Sequence, residues 1–220
     1  MLPEKVFIAT SNAGKLRDFA GVTAGINAIA LELLPGFSAL PSIEEDGETF
    51  EANACKKAGF YSGYAPGAIV LADDSGLEVV ALKNAPGVRS ARYAADDSEE
   101  FKTAYASLSL SLSRSRSIDE ANNQRLLREL ADVPQEKRAG RFVCSLAAAR
   151  DGSILQTFEG DVRGTILYAP RGENGFGYDP LFYLPELGKT TAELTAIEKA
   201  KVSHRGQAFR KFLEWYRNQK

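Results

Sequence analysis

Short apolar runs separated by small, polar or glycine-rich segments make up most of the hydrophobic pattern of this chain. Three of them predict buried β-strands, because apolar residues cluster without helical spacing and turn-forming or polar residues follow. These strands are Val6–Thr10, Ile29–Leu34 and Ala68–Ala72. A further strand is expected at Leu77–Leu82, after the polar segment Asp73–Gly76 that ends the third run.

Segments with helical character alternate with these runs. Amphipathic helices are predicted from Lys15, over Thr49–Tyr61, over Ile118–Leu130 and from Lys199 onward. The dipeptide Asp151-Gly152 is typical of two-residue hairpin turns, and it joins two further predicted strands, Arg141–Ala149 and Ser153–Asp161.

In the segment Ser107–Ser117, Ser alternates first with Leu and then with Arg, and we expect a solvated loop there. Strands and helices interleave along the rest of the chain, and no internal repeat or interdomain linker interrupts them. The sequence therefore predicts an α/β or a mixed α+β architecture, in a single domain over residues 1–220.

The composition narrows the possible functions. With 27 Lys and Arg against 29 Asp and Glu, the formal net charge is −2, so the chain lacks the basic field used in non-specific nucleic-acid binding. Two cysteines and one histidine are too few for a disulfide framework or for a zinc site of thiolates or imidazoles. The N-terminal apolar run is short, and no apolar stretch approaches the roughly 20 residues of a membrane span. We therefore expect a cytoplasmic protein that binds neither nucleic acid nor membranes.

The first strand-to-helix junction carries residues suited to a phosphate group. In Thr10-Ser11-Asn12-Ala13-Gly14-Lys15, small residues at a helix N-terminus expose backbone N–H groups, and the lysine adds positive charge. Ordinary strand-to-helix turns have the same pattern, so phosphate binding and a simple turn both remain open. A P-loop is disfavoured, because Tyr183 stands where the glycine before Gly188-Lys189-Thr190 is required, and Leu16 follows the lysine of the first junction.

Paired carboxylates follow the third strand. Asp73 and Asp74 are adjacent, and such a pair is a common ligand set for a hard divalent cation such as Mg²⁺. Solvated acids in an Asx-type turn are the alternative. The pair Glu44-Glu45 offers further oxygen ligands if the fold brings it near. Asn53 and Lys57 are four residues apart on a predicted helix, so they share a face from which they could contact phosphate.

Two C-terminal segments complete the candidate chemistry. In Gly172–Pro180, glycines surround Phe176, Tyr178 and Asp179, so that an aromatic ring could stack on a base and a carboxylate could accept its N–H groups. A plain glycine-rich turn is the alternative. The segment Lys199–Arg205 gathers donors around the single histidine, which suits either a purine 6-oxo group or a solvated helix start. Together these features describe a Mg²⁺-dependent nucleotide site.

Five motifs, in order along the chain, resemble the Ham1/RdgB family of inosine/xanthosine triphosphate pyrophosphatases. The resemblance extends from Val6 to about Leu213, and five linked motifs are far more specific than any one of them. The motifs are Ala9–Lys15 (ATSNAGK), Ala72–Leu77 (ADDSGL), Pro86–Tyr93 (PGVRSARY), Gly175–Pro180 (GFGYDP) and Ser203–Ala208 (SHRGQA).

The resemblance implies a fold, a partner and an activity. The implied fold is a mixed central sheet flanked by helices, with two lobes and an active-site cleft between them, and the implied assembly is a homodimer. The implied activity is hydrolysis of ITP, dITP, XTP or dXTP to the monophosphate and pyrophosphate, with Mg²⁺ as cofactor. Such an activity removes deaminated purine nucleotides from the nucleotide pool.

The resemblance also implies roles for individual residues. Asp74 is expected to be the catalytic carboxylate and to bind the metal ion together with Asp73 and Glu44. Ser75 is expected to contact the substrate. The expected triphosphate-binding residues are Thr10, Ser11, Asn12, Ala13, Gly14, Lys15, Asn53 and Lys57. The expected base-binding residues are Phe176, Gly177, Tyr178, Asp179, Lys199, His204 and Arg205.

One segment departs from the family pattern, and two other functions stay open. The link Ala94–Asn123 is longer than usual, which affects local structure and dimer contacts rather than the motifs. The alternatives are a Maf-like pyrophosphatase for pyrimidine or modified nucleotides and a nucleotide-binding module without activity. Ser203-His204-Arg205 and Phe176–Asp179 argue against the first, and the intact acidic motif argues against the second.

Overall fold

The computed structural model of the chain describes residues 5–23, 29–97 and 112–219. Within these residues it has seven strands and five α-helices. The strands are β1 (Val6–Ile8), β2 (Leu31–Leu33), β3 (Ile69–Val79), β4 (Ala139–Arg150), β5 (Ser153–Ile166), β6 (Phe182–Leu184) and β7 (Lys189–Thr190). The helices are α1 (Ala13–Thr23), α2 (Phe50–Ser62), α3 (Leu112–Glu129), α4 (Ala196–Val202) and α5 (His204–Arg217). Short 3₁₀ segments occur at Phe37–Ala39, Val80–Leu82, Gly87–Asp97, Gln135–Lys137 and Thr191–Glu193.

The strands form one sheet in the order β2-β1-β3-β4-β5-β6-β7. β1 is parallel to β2 and β3, whereas β6 is antiparallel to β5 and β7. This mixture confirms the α/β class with a mixed central sheet flanked by helices. The chain divides into two compact units. The expected single domain and its cleft stay predictions.

The first unit contains the described residues of Met1–Ser75, Val143–Val162 and Ala196–Lys220. Its apolar core lies on both faces of β1, β3 and β4, because successive side chains of a strand point to opposite faces. On one face, Ile69 and Leu71 of β3 belong to a buried cluster with the aromatic rings of α1 and α5. Those rings are Phe19, Phe209 and Phe212.

The opposite face of the same strands packs against α2. Val70 and Ala72 of β3 lie in a second buried cluster with Ala54, Ala58 and Tyr61 of that helix. Odd-numbered residues of β3 in this unit therefore face α1 and α5, and even-numbered residues face α2. This alternation decides where each acidic side chain of β3 points.

β3 is longer than the sequence predicted. Instead of ending at Ala72 and resuming at Leu77, one strand runs from Ile69 to Val79 through the polar segment Asp73–Gly76. The prediction that the strand ends at this segment is therefore wrong. The end of the expected second strand, Val80–Leu82, is a 3₁₀ turn. The polar residues are tolerated within the strand because helices on both faces supply partners for them.

The second unit contains the described residues of Gly76–Phe142 and Arg163–Thr195. Its helix α3 begins at Leu112 instead of Ile118, so residues 112–117 are helical where a loop was expected, and residues 107–111 lie outside the described residues. Arg138 is fully buried and donates to Leu130 O (2.9 Å) and Ile166 O (3.0 Å). A guanidinium group thus satisfies a carbonyl just beyond the C-terminus of α3, where positive charge is favourable.

Two local turns organise the remaining elements of the first unit. The hairpin predicted at Asp151-Gly152 is confirmed, with left-handed φ of 51° at Asp151, which aspartate tolerates in tight turns, and of 82° at Gly152, which glycine adopts without strain. The helix predicted from Lys199 is two helices, because Ser203 caps α5 and its Oγ accepts a hydrogen bond from Gly206 N at 3.1 Å. Among the described residues, no helix has the length and apolar character needed to cross a membrane.

Candidate active site

The loop between β1 and α1 forms the N-terminus of α1, as predicted. Asn12 Oδ1 accepts hydrogen bonds from the backbone N–H groups of Gly14 (2.8 Å) and Lys15 (3.1 Å), so this side chain caps the helix. Thr10 Oγ1 in turn accepts from Asn12 N at 3.2 Å, and Ser11, Asn12 and Ala13 are exposed. Because the asparagine already holds two of the first N–H groups, the Lys15 ammonium is the main feature of this loop that attracts an anion.

Asp73 points toward α1 and α5. Lys15 Nζ lies 3.0 Å from Asp73 Oδ2, Arg205 Nε lies 3.2 Å from the same oxygen, and Ser75 Oγ donates to it at 3.2 Å. Burial opposes ionisation, but the charges of Lys15 and Arg205 outweigh it and hold the pKa of Asp73 well below its usual range. Asp73 Oδ1 is buried and has no hydrogen-bond partner among the described residues. Asp73 is therefore an ionised anchor for two basic side chains.

Asp18 of α1 completes this cluster, and it is a residue that the sequence analysis missed. Its Oδ2 accepts from Arg205 Nη1 at 2.7 Å, and its Oδ1 lies 3.4 Å from Lys199 Nζ. Arg205 Nη2 also donates to Ser75 Oγ at 2.5 Å, so this guanidinium joins α1 to β3. Lys15 and Asp18 are three residues apart and share a helix face. That spacing is the signal by which the sequence could have identified Asp18.

Asp74 points to the opposite face, toward α2. Its Oδ2 accepts from Asn53 Nδ2 at 3.0 Å, and its Oδ1 from Lys57 Nζ at 3.4 Å. Lys57 Nζ also lies 3.1 Å from Glu45 Oε2. Burial raises the pKa of Asp74, and the Glu45 carboxylate adds to the rise while Lys57 opposes it. A carboxylate with a raised pKa is a better base than an exposed one, so Asp74 is suited to accept a proton.

Asn53 attaches the acidic turn to α2. Asn53 Oδ1 accepts from Gly47 N at 2.8 Å, and a Cβ at position 47 would lie 2.7 Å from that oxygen, so a larger residue would have to displace the Asn53 amide. The attachment brings Glu45 to Lys57, whereas Glu44 is exposed.

The expected metal set of Asp73, Asp74 and Glu44 is not gathered in one place. Asp73 and Asp74 lie on opposite faces of β3. Within the described part of the chain, no group of three carboxylate, imidazole or thiol side chains forms a metal-binding cluster. Asp74 and Glu45 do meet, with the Lys57 ammonium in contact with both. The two carboxylates already surround one positive charge, so they fit a cation such as Mg²⁺. This ion needs few protein ligands when phosphate oxygens and water supply the others. The structure thus puts Glu45, instead of Glu44, beside Asp74.

The donors predicted near the start of the last helix lie on the Asp73 side of the first unit. Lys199, His204 and Arg205 are each 4% exposed, so their polar groups are held by the protein rather than by bulk water. Burial and the charges of Arg205 and Lys199 hold the pKa of His204 well below its usual value, so its ring is neutral at neutral pH. The sequence therefore predicted this cluster correctly, while its contact with a base stays a prediction.

The glycine-rich loop belongs to the second unit. The Tyr178 hydroxyl donates to Ser90 O at 2.8 Å, and the ring is buried. Asp179 is also buried, and its Oδ2 accepts from Phe176 N at 2.9 Å while its Oδ1 accepts from the Thr191 hydroxyl at 2.8 Å. Tyr178 and Asp179, which were expected to contact a base, therefore hold the loop itself. Phe176 is the aromatic residue of this loop that stays partly exposed.

The charges of the first unit form a balanced network around β3. The basic members attract an anion such as a triphosphate, and the acidic members Asp74 and Glu45 attract a cation. The members are Lys15, Lys57, Lys199, Arg205, Asp18, Glu45, Asp73 and Asp74. This arrangement fits a polyanion bound together with a divalent cation. The polyanion matches the basic side chains, and the cation matches Asp74 and Glu45.

Comparison with known proteins supplies the family. The model of the Ham1 family matches residues 6–215. A relative from Acidobacterium capsulatum named dITP/XTP pyrophosphatase is 50% identical over 208 residues, which cover 94% of this chain and 96% of that protein. A relative of the same name from Geobacter sulfurreducens is 44% identical over 206 residues, covering 93% and 92%. The solved structure of the Staphylococcus aureus Ham1 protein is similar with a TM-score of 0.76 and 34% identity, covering 99% of this chain and 100% of that one. On these matches, the chain belongs to the Ham1 family.

Proposed function

We propose that this chain hydrolyses non-canonical purine nucleoside triphosphates, namely ITP, dITP, XTP and dXTP, to the monophosphate and pyrophosphate. The observation that carries the proposal is the state of Asp74, a buried carboxylate with a raised pKa that contacts Asn53 and Lys57 beside Glu45. The names of relatives at 44% and 50% identity support the substrate class.

The reaction follows from the charges around β3. Lys15 and Lys57 supply positive charge for the triphosphate oxygens. Asp74 orients a water molecule and accepts one of its protons at a carboxylate oxygen, while the water oxygen bonds to the α-phosphorus. The bond between the α-phosphorus and the bridging oxygen breaks, and that oxygen leaves with pyrophosphate.

Mg²⁺ is the proposed cofactor, and Asp74 with Glu45 would hold it. When bound, the ion offsets negative charge on the phosphoryl oxygens. Lys57 contacts both carboxylates and balances their negative charge. If a cation takes its place between them, the Lys57 ammonium is suited to move toward the phosphate oxygens.

The donors Lys199, His204 and Arg205 are proposed to favour a 6-oxo purine. A 6-oxo group accepts hydrogen bonds from such donors, whereas the 6-amino group of adenine would place donors against donors. A neutral imidazole still donates one N–H, so the low pKa of His204 is compatible with this role. In the second unit, Phe176 is proposed to stack on a base.

A panel of nucleotides tests the proposal. Purified protein with Mg²⁺ is incubated with ITP, XTP, ATP, GTP and UTP, and pyrophosphate release is measured. We expect release from ITP and XTP to be far faster than from the other three, and to stop when a chelator removes the metal. Absence of release from ITP and XTP would overturn the proposal, and preference for UTP would favour the Maf-like alternative.

A matched pair of variants assigns the chemistry within this assay. Asp74→Asn should abolish pyrophosphate release while binding of ITP, followed by calorimetry, persists. Asp46→Asn removes an exposed carboxylate of the nearby acidic turn, one paired with Lys56, and should retain full activity. Activity in the first variant would remove Asp74 from the catalytic role.

The assembly is proposed on the family resemblance, and the location on the composition and the short N-terminal apolar run. We propose a homodimer, which light scattering on the purified chain tests directly, and a cytoplasmic location. A monomeric mass over the working concentration range would reject the dimer.

A further inference from the structure

We propose that Asp119 and Asn123 of α3 are positioning residues that clamp the peptide of Gly177 and thereby orient Phe176 for substrate binding. The proposal rests on the proposed function in one respect, the contact of Phe176 with a base. Its structural part, that α3 fixes this turn, stands independently.

Both polar groups of Gly177 are bound by the same face of α3. Asp119 Oδ2 accepts a hydrogen bond from Gly177 N at 2.8 Å, and Asn123 Nδ2 donates to Gly177 O at 3.0 Å. The two side chains are four residues apart on the helix, so they project from one face toward the same target. A carboxylate acceptor and an amide donor thus match the N–H and C=O of a single residue.

The turn gains from such support because its two glycines restrict the backbone little. Gly175 and Gly177 have φ of 79° and 60°, in the left-handed region, and Phe176 lies between them. Phe176 N donates to Asp179 Oδ2, so one side of this turn is fixed within the loop. The other side is fixed by α3, and Phe176 is therefore oriented by contacts to its neighbours on both sides.

A cavity beside the turn makes the clamp consequential. A cavity of about 400 Å³ in the second unit is lined by both α3 side chains and by the turn, with Leu127 and Leu181 among its apolar walls. Without the clamp, the turn could move into this cavity without a steric clash. The expected consequence is a displaced Phe176 in a folded protein, because the cavity absorbs the displacement.

Neighbouring residues of α3 separate the clamp from a general effect of the helix. Asp119→Ala and Asn123→Ala each remove one hydrogen bond to Gly177. Glu120→Ala removes a carboxylate from the adjacent, exposed position, which lines the same cavity without a hydrogen bond to Gly177, so it controls for the lining of the cavity. Asp119→Asn keeps an oxygen that can accept from Gly177 N, so it is the conservative variant.

Steady-state kinetics with ITP give the first readout. Asp119→Ala should raise KM by about tenfold, the loss expected for one hydrogen bond to a charged group, with kcat within about twofold of wild type. Asp119→Asn should recover most of the KM, and Glu120→Ala should leave it unchanged. A KM in Asp119→Ala equal to that of wild type, or the same rise in Glu120→Ala, would overturn the role in substrate binding.

Amide hydrogen exchange gives a readout that does not depend on activity. The Gly177 amide should exchange faster in Asp119→Ala than in wild type and in Glu120→Ala, with unchanged exchange in the α2 helix as a check that the fold persists. Equal exchange at Gly177 in all three proteins would overturn the clamp itself. If wild type releases no pyrophosphate from ITP while Gly177 exchange still responds, the proposed function fails and the clamp stands.

Discussion

Asp73 and Asp74 are chemically identical neighbours, yet the structure gives them opposite properties. Asp73 lies between Lys15 and Arg205, and its pKa is held low, whereas the pKa of Asp74 is raised by burial and by Glu45. At neutral pH the charge of Asp73 is therefore stabilised by folding, and the charge of Asp74 is opposed by it. The first carboxylate is suited to structure and the second to proton transfer.

This contrast predicts opposite effects of the same substitution on stability. Asp73→Asn leaves the partly exposed Lys15 and the buried Arg205 beside a neutral group, and should lower the free energy of unfolding by about 3 kcal/mol. Asp74→Asn removes a charge that folding disfavours, and should leave the free energy of unfolding unchanged or raise it. Urea denaturation at neutral pH measures both, and similar losses in the two variants would contradict the assignment.

The sequence could predict which residues gather at the site, but not how they divide. Lys15, Asp74 and Arg205 were identified from motif and charge, because those residue types in loops and at helix starts suggest phosphate and metal chemistry. Asp18 is not indicated by any of the motifs, and Glu45 is indicated only together with Glu44, since each acts through an ion pair with a residue distant in sequence. The expectation that Asp73 and Asp74 bind one metal ion together depends on a strand that ends at Ala72. Because β3 continues through both residues, their side chains point to opposite faces.

At the scale of elements, the break between α4 and α5 directs a charged side chain into the core of the first unit. Ser203 is buried, caps α5 through Gly206 N, and stands two residues before Arg205. The cap starts a new helix and thereby sets the direction in which Arg205 leaves the backbone.

Removing the cap tests its contribution. Ser203→Ala should lower the free energy of unfolding by about 1 kcal/mol, because the N–H of Gly206 loses its acceptor. Ser153→Ala, at the exposed first residue of β5, is the control and should change it by less than about 0.5 kcal/mol. Thermal or urea denaturation compares the two, and equal effects would show that the hydroxyl of Ser203 does not stabilise α5.

Elements governed by local rules were predicted well, and those governed by tertiary contacts were not. The Asp151-Gly152 hairpin depends on turn chemistry and the helix near Thr49 on apolar spacing, both of which the sequence displays directly. The short strands β6 and β7 carry no periodic signal, and residues 112–117 of α3 lack the apolar spacing that marks a helix. The structure of those parts depends on contacts with other segments of the chain, which a local sequence pattern does not contain.

At the scale of the whole molecule, His204 links stability to pH. It is the single histidine of the chain, it is 4% exposed, and burial together with Arg205 and Lys199 depresses its pKa. The unfolded chain binds a proton at this residue below about pH 6.5, while the folded chain does not. Protonation of the unfolded state therefore lowers stability as the pH falls through that value.

The expected loss is about 1.4 kcal/mol in the free energy of unfolding between about pH 7.5 and pH 5.5. His204→Gln removes the titrating group, so its stability should change less over the same interval, and other groups cancel in the difference between the two proteins. Urea denaturation at several pH values measures both slopes. Parallel pH profiles would show that His204 does not carry the linkage.

The continuous course of β3 has a consequence for how this region can vary. A strand that places one carboxylate on each face depends on the parity of its residue count, since a shift of one residue sends every following side chain to the opposite layer. A single-residue insertion between Ala72 and Asp73 would bring Asp73 to the α2 face and Asp74 to the face of Arg205. Mutational libraries of this segment should therefore exchange residues at constant length, because a change in spacing displaces both carboxylates at once.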